Sequence, residues 1–171
     1  MHPLLERARF AGAAGIGAAL ALLTFAPHPF AAQSVLASPL GQGNTMVSVQ
    51  PAETRLICGE TAEVKIEISE VENLFGVDLK VSYDPAVVEV VDANATTPGK
   101  QIQQGDLPDV SGGQGLIQVN TVDEGNGTAS YAAVRLNPAP AQSGTGTIAA
   151  ISFKGKAAGT TAVTLASVIL A

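Results

Sequence analysis

Carboxylates are the only reactive side chains present in number. The 171 residues include 15 Asp and Glu against 9 Lys and Arg, with one Cys and two His. Both histidines, His2 and His28, lie near the start, so the rest of the chain cannot assemble a Ser-His-Asp or Cys-His nucleophile. Nor can it build a zinc site from His and Cys. Two carboxylates suffice for glycoside hydrolysis, but Glu63, Glu67, Glu70 and Glu72 read as a solvated strand face and its exit. Gly112-Gly113-Gln114-Gly115 lacks the Lys-Ser/Thr ending and the helix of a phosphate loop. Asp123-Glu124-Gly125-Asn126 offers oxygens without the spacing of a calcium loop and reads as a turn. Cys58 reads as a small, half-buried residue at a strand start, with pairing between molecules as the alternative for a lone thiol. Asn94-Ala95-Thr96 and Asn126-Gly127-Thr128 match the glycosylation pattern. What remains is recognition without catalysis, and no metal or cofactor is expected in the chain itself.

Recognition needs faces, and the faces here are those of strands. In Asn73–Asp92, Phe75, Val77, Leu79, Val81 and Tyr83 alternate with Gly76, Asp78, Lys80 and Ser82. Successive strand residues point to opposite sides, so the first set predicts a core face and the second a wet one. Asp84-Pro85 ends that strand in a turn. Val87, Val88, Val90 and Val91 begin another, since β-branched residues resist a helix. Ala62, Val64, Ile66 and Ile68 alternate with Glu63, Lys65, Glu67 and Ser69 in the same way.

Further strands are expected at 46–49, 116–122, 128–136, 145–156 and 160–170. On 116–122 the phase sets Ile117, Val119 and Thr121 against Gln118 and Asn120, and on the last strand it sets Val168 against Ile169. Asn94–Gly115 shows no period and reads as a long loop with room for one short strand, the kind of segment that often carries function. About eight strands, many turns and no amphipathic helix predict an all-β chain of two packed antiparallel sheets, a β-sandwich.

The length suits one folded domain, of the usual ~100–150 residues, after a leader. Arg7 and Arg9 precede a 17-residue apolar run, Phe10–Ala26, and Val35-Leu36-Ala37 offers a cleavage site. Residues 1–37 are therefore expected to be a secretory signal peptide, 38–45 a flexible N-terminal segment and 46–171 the domain. An uncleaved membrane anchor is the alternative. Removing 1–37 takes away Glu6, Arg7 and Arg9 and leaves 7 basic and 14 acidic residues, a balance of −7. Such a chain is a poor ligand for nucleic acid or anionic lipid.

The run GVDLKVSYDPAVVEVVDA resembles the third and fourth strands of a cohesin module, and GTGTIAAISFKGKAAGTTAVTLASVILA (Gly144–Ala171) resembles that family's closing strands. The resemblance covers roughly Val47–Ala171. It implies a nine-stranded sandwich of jelly-roll topology. It also implies a secreted bacterial domain that binds dockerin domains in extracellular assemblies for polysaccharide breakdown, with calcium carried by the dockerin. Family members continue past the equivalent of Ile169-Leu170 with a closing segment. The last strand is therefore expected to be absent, or the module to be truncated, leaving eight or nine strands.

In cohesins the dockerin docks on one sheet face, built from the third, fifth, sixth and eighth strands. By that resemblance Asp78 holds a polar position that hydrogen-bonds the dockerin helix. Gly76 stands where some members have Asn, and Lys80 and Ser82 share the outward set. Strand phase adds Gln118 and Asn120, and extends the face to Tyr131 and Arg135. The bland alternative is that these are ordinary solvent-facing residues. A carbohydrate-binding module of the related fold, with polysaccharide as partner, and a surface or adhesive module stay open. Against the former, the chain has no Trp, and phase places Phe75, Tyr83 and Phe153 in the core.

Overall fold

The computed structural model of the chain describes residues 44–171 and, before them, the backbone of residues 30–34. Of the expected leader and flexible segment, 1–37 and 38–45, only residues 30–34 and 44–45 fall among the described residues. In chain order the strands are β1 (Phe30–Ser34), β2 (Met46–Gln50), β3 (Glu53–Leu56), β4 (Thr61–Leu74), β5 (Gly76–Ser82) and β6 (Val88–Val90). They continue with β7 (Gln103–Gln104), β8 (Gly115–Asp123), β9 (Thr128–Arg135), β10 (Gln142–Gly155) and β11 (Thr160–Leu170). β7 is the one short strand for which the Asn94–Gly115 segment left room, and β1 and β3 are short strands beyond the eight or nine expected.

The strands form two sheets, in the order β3-β1-β11-β5-β9-β8 and β2-β4-β10-β6, with β7 also on β10. Every pairing is antiparallel except β1 with β11. From β4 onward the chain passes back and forth between the sheets, entering the first at β5, β8–β9 and β11 and the second at β6, β7 and β10. This is the sandwich with jelly-roll winding that the alternation and the resemblance predict. Among the described residues β2 has a strand partner on one side only, β4.

The alternating residues make the core. Val64, Ile66 and Ile68 of β4 face Val77, Leu79 and Val81 of β5 across the sandwich, and all are buried. Each such side chain contributes about 1.5–3 kcal/mol on burial. Tyr83 and Phe153 meet edge to face with ring centroids 5.1 Å apart, an arrangement that adds about 0.5–1.5 kcal/mol beyond burial. Phe75 does not join them. It precedes β5, where its backbone pairs with Arg135 and Ala171, and its ring is 45% exposed. β4 outlasts its sequence pattern because Glu70 (φ 52°) and Asn73 (φ 56°) are left-handed. They carry the strand past register shifts opposite Gly144, so that Val71 reaches the core out of phase and Leu74 returns to the phase of Ile68.

The long unpatterned segment is pinned to the sandwich. Ile102, Leu107 and Val110 are buried, and the Gly105 and Leu107 N–H groups donate to Ile148 and Thr147. A Cβ on Gly105 would lie 2.0 Å from the Thr147 oxygen, so only glycine permits this approach. The Asp92 carboxylate accepts from the Gln101 and Asn94 N–H groups at 2.9 and 3.1 Å, which holds its carboxyl below the usual range. Cys58, expected to be half-buried, is exposed, because the Ile57–Glu60 turn turns it out of the sheet.

Candidate partner-binding face

The outer side of β11-β5-β9-β8 is a four-stranded sheet face. Its register sets side chains in rows. Ile169, Asp78, Ala132 and Val119 form one row across the four strands. Ser167, Lys80, Ser130 and Thr121 form the next. On the other flank Gly76 pairs with Val134, which pairs with Leu116. Ile169 is 60% exposed, and Leu116 and Val119 are each about 40% exposed. The row that holds Asp78 is therefore aliphatic around one carboxylate, whereas the Lys80 row beside it is polar.

Asp78 is exposed. Among the described residues no hydrogen bond or ion pair engages its carboxylate; the three ion pairs, Lys65–Glu63, Lys100–Glu124 and Lys154–Glu89, lie elsewhere. Lys80 points the same way and interacts with Asp123, whose carboxyl lies below its ordinary range chiefly because the Asn126 side chain donates to it. Ser82 is half-buried at the end of the same set. Gly76 keeps its outward ladder position but is buried, so it contributes shape and not a contact group.

Gln118 lies on this face for a reason the alternation hides. It is the extra residue of a bulge between Ile117 and Val119, and it lines a depression beside Asp78. The bulge reverses the phase downstream. Val119 turns outward and Asn120 turns inward opposite Tyr131, which corrects the expectation for Asn120. Its amide oxygen accepts the Ile102 N–H at 2.9 Å and its Nδ2 donates to the Ile102 carbonyl at 2.8 Å, so it anchors the long loop to β8.

Tyr131 and Arg135 are also corrected. Tyr131 stands opposite Leu79 and is 1% exposed. Burial pushes its hydroxyl up to about 12. Arg135 is 5% exposed. Its Nε donates to the Pro140 carbonyl at 2.8 Å, and its other nitrogens donate to the Asp109 carbonyl and the Gln114 amide oxygen. It clamps two loops from inside. The small residues Ala129 and Ala133 share the inner side of β9, and the outward set is Thr128, Ser130, Ala132 and Val134.

The residues that sequence reasoning missed are Ile169, Val119, Ala132, Ser130 and Ser167. A second bulge, between Leu165 and Ser167, turns Ile169 out and Val168 in. Among the described residues no cluster of three His, Cys, Asp or Glu side chains could hold a metal ion. The buried tyrosines leave no aromatic row on this face, and the exposed Phe75 sits alone before β5.

The architecture is a two-sheet jelly roll with a broad sheet face of mixed aliphatic and polar side chains. The chain belongs to the cohesin family: the profile of the Cohesin domain matches residues 46–170. No curated protein matches it. Solved structures share the fold. The type II cohesin dyad from the adaptor ScaA scaffoldin of Acetivibrio cellulolyticus is 21% identical with a TM-score of 0.55 over 66% of this chain. This chain spans only 38% of that dyad. A type II cohesin domain from the cellulosome of the same organism is 21% identical, with a TM-score of 0.50 over 85% of this chain and 75% of that one. A type II cohesin–X–dockerin complex, also from Acetivibrio cellulolyticus, is 15% identical with a TM-score of 0.50 over 84% and 76% of the two chains.

Proposed function

We propose that this chain is a secreted, non-catalytic docking module that binds a calcium-loaded dockerin through the outer face of β11-β5-β9-β8. The setting is an extracellular assembly that degrades polysaccharide. The observation that carries the reading is the aliphatic row around the unengaged Asp78 carboxylate, on the four strands where the family docks. Membership of the cohesin family supports it, as does the dockerin present in the solved complex of a relative. Calcium belongs to the partner; the chain supplies shape, aliphatic area and Asp78.

Calorimetric titration of the protein with a panel of dockerins, with and without calcium, tests the reading. Calcium-dependent binding is expected, with no retention on insoluble glycans. Retention on cellulose or another insoluble glycan, with silence across the panel, would replace it with the carbohydrate-binding alternative.

A further inference from the structure

A second hollow lies away from the docking face, where the long loop meets the inner side of β8. Its volume is about 190 Å³. Asn94, Gln101, Gln103, Gln104 and Asn120 line it, with Ile117 as an apolar wall. No Asp, Glu, Lys or Arg is among its lining residues. Ile117 stands opposite Ala133 and Asn120 opposite Tyr131, both on the inner side of β8. Gln103 and Gln104 are β7. The hollow therefore lies between the edges of the two sheets.

Its walls are fixed in advance. The Ala93 N–H donates to the Gln101 carbonyl at 3.0 Å, and the Asp92 carboxylate accepts from the Gln101 and Asn94 N–H groups. The Asn94 amide is held by Thr96 and Thr97, and the Asn120 amide by Ile102. Three other carboxamides are left with unmet groups. Gln101 is 6% exposed. Its Nε2 donates to the Pro98 carbonyl at 3.1 Å, but its Oε1 is buried without a partner. Among the described residues nothing donates to Gln103 Oε1, and the Gln104 side chain makes no hydrogen bond. Buried acceptors are normally paired, so a preformed hollow of this kind suits a ligand that brings donors.

The walls also say which donors. A cation taken out of water without a counter-charge is costly, and these walls hold none. Neutral hydroxyls remain. A cavity of about 150 Å³ accommodates a benzene ring, so this one has room for a six-membered ring with substituents. A sugar ring carries several hydroxyls and a C–H face that can lie on Ile117.

We propose that this hollow binds one neutral pyranose ring, as a free sugar or as the end of a glycan chain. Its hydroxyls donate to Gln101 Oε1 and Gln103 Oε1 and exchange hydrogen bonds with the Gln104 amide. The site is separate from the docking face and does not depend on a dockerin. One ring without an aromatic platform is held weakly, with Kd of about 1 mM, too weakly for retention on an insoluble glycan.

Amide shift titration of the full chain with glucose, xylose, galactose and mannose, and with cellobiose and xylobiose, tests it. At least one monosaccharide should move the Gln101, Gln103 and Gln104 side-chain amides and the Ile117 N–H saturably. Gln104→Ala and Gln103→Ala, which truncate side chains outside the core, should each weaken that binding about tenfold or more. Their circular dichroism and dockerin affinity should not change. A disaccharide that binds as its monosaccharide does assigns the site to chain ends, and one that does not bind assigns it to free sugars. No saturable change at these amides with any of the sugars, or a change that survives intact in both variants, overturns the proposal and leaves the hollow to ordered water. Either result leaves the docking reading standing.

Discussion

Asp78 stands directly across the β5–β9 ladder from Ala132. A charged residue opposite a methyl group, with Ile169 on its other flank, leaves the carboxylate at the rim of a hollow and not in a polar lattice. Everything proposed for the face follows from that juxtaposition.

The exposed aliphatics of the face should matter more for binding than for folding. Ile169→Ser and Val119→Ser remove side chains that are 60% and 39% exposed, so stability should fall by only about 1 kcal/mol. Their affinity for a dockerin should fall about tenfold or more if they lie in the interface core. Urea unfolding and calorimetry read the two effects separately.

Asn120→Ala should behave in the opposite way. It deletes two hydrogen bonds to Ile102 and leaves that backbone unsatisfied. A loss of about 1–3 kcal/mol in stability is expected. Amide exchange at Ile102 should accelerate and dockerin affinity should hold. A lost affinity with unchanged exchange would return Asn120 to the docking face.

The Tyr131 hydroxyl is buried without a protein partner. Tyr131→Phe should therefore be neutral or stabilising, by up to about 1 kcal/mol, because it removes a desolvated group and keeps the ring. Thermal unfolding checks this. A clear drop in Tm would mean that the hydroxyl has a partner, such as an ordered water.

Alkaline pH should weaken the fold through the same ring and Tyr83. Burial raises both hydroxyls to about 12, and Glu124 and Asp123 add to the effect at Tyr83. Unfolded tyrosine titrates near 10. Between about pH 10 and 12 the unfolded chain therefore releases these protons first, and stability falls as pH rises. Below about 10 both forms are protonated and the contribution is complete. Tm followed across this window should decline, and the decline should shrink in Tyr131→Phe.

The sandwich was legible wherever the two-residue period runs unbroken. Val64–Ile66–Ile68 and Val77–Leu79–Val81 each alternate without interruption, and their outward partners, Asp78 and Lys80 among them, follow automatically. The outer face was half legible because two of its four strands break that rule and a third keeps it with residues that do not look like core. Bulges after Ile117 and Leu165 add one residue each, a change no local pattern marks, and they exchange Val119 for Asn120 and Ile169 for Val168. On β9 the inner side is built from Ala129, Tyr131, Ala133 and Arg135, a set too small and too polar to read as core. Arg135 is tolerated there because three oxygens accept its donors. Phe75 misleads in the other direction: its phase is that of the core, but it lies before β5 begins.

The central claim is that the outer face of β11-β5-β9-β8 is the docking surface. Amide chemical-shift mapping during titration with a calcium-loaded dockerin tests it most directly. The account predicts that the largest changes fall on Asp78, Lys80, Val119, Ser130, Ala132 and Ile169, with the opposite sheet silent. Changes centred on Glu63, Lys65 and Glu67 of β4 would contradict it.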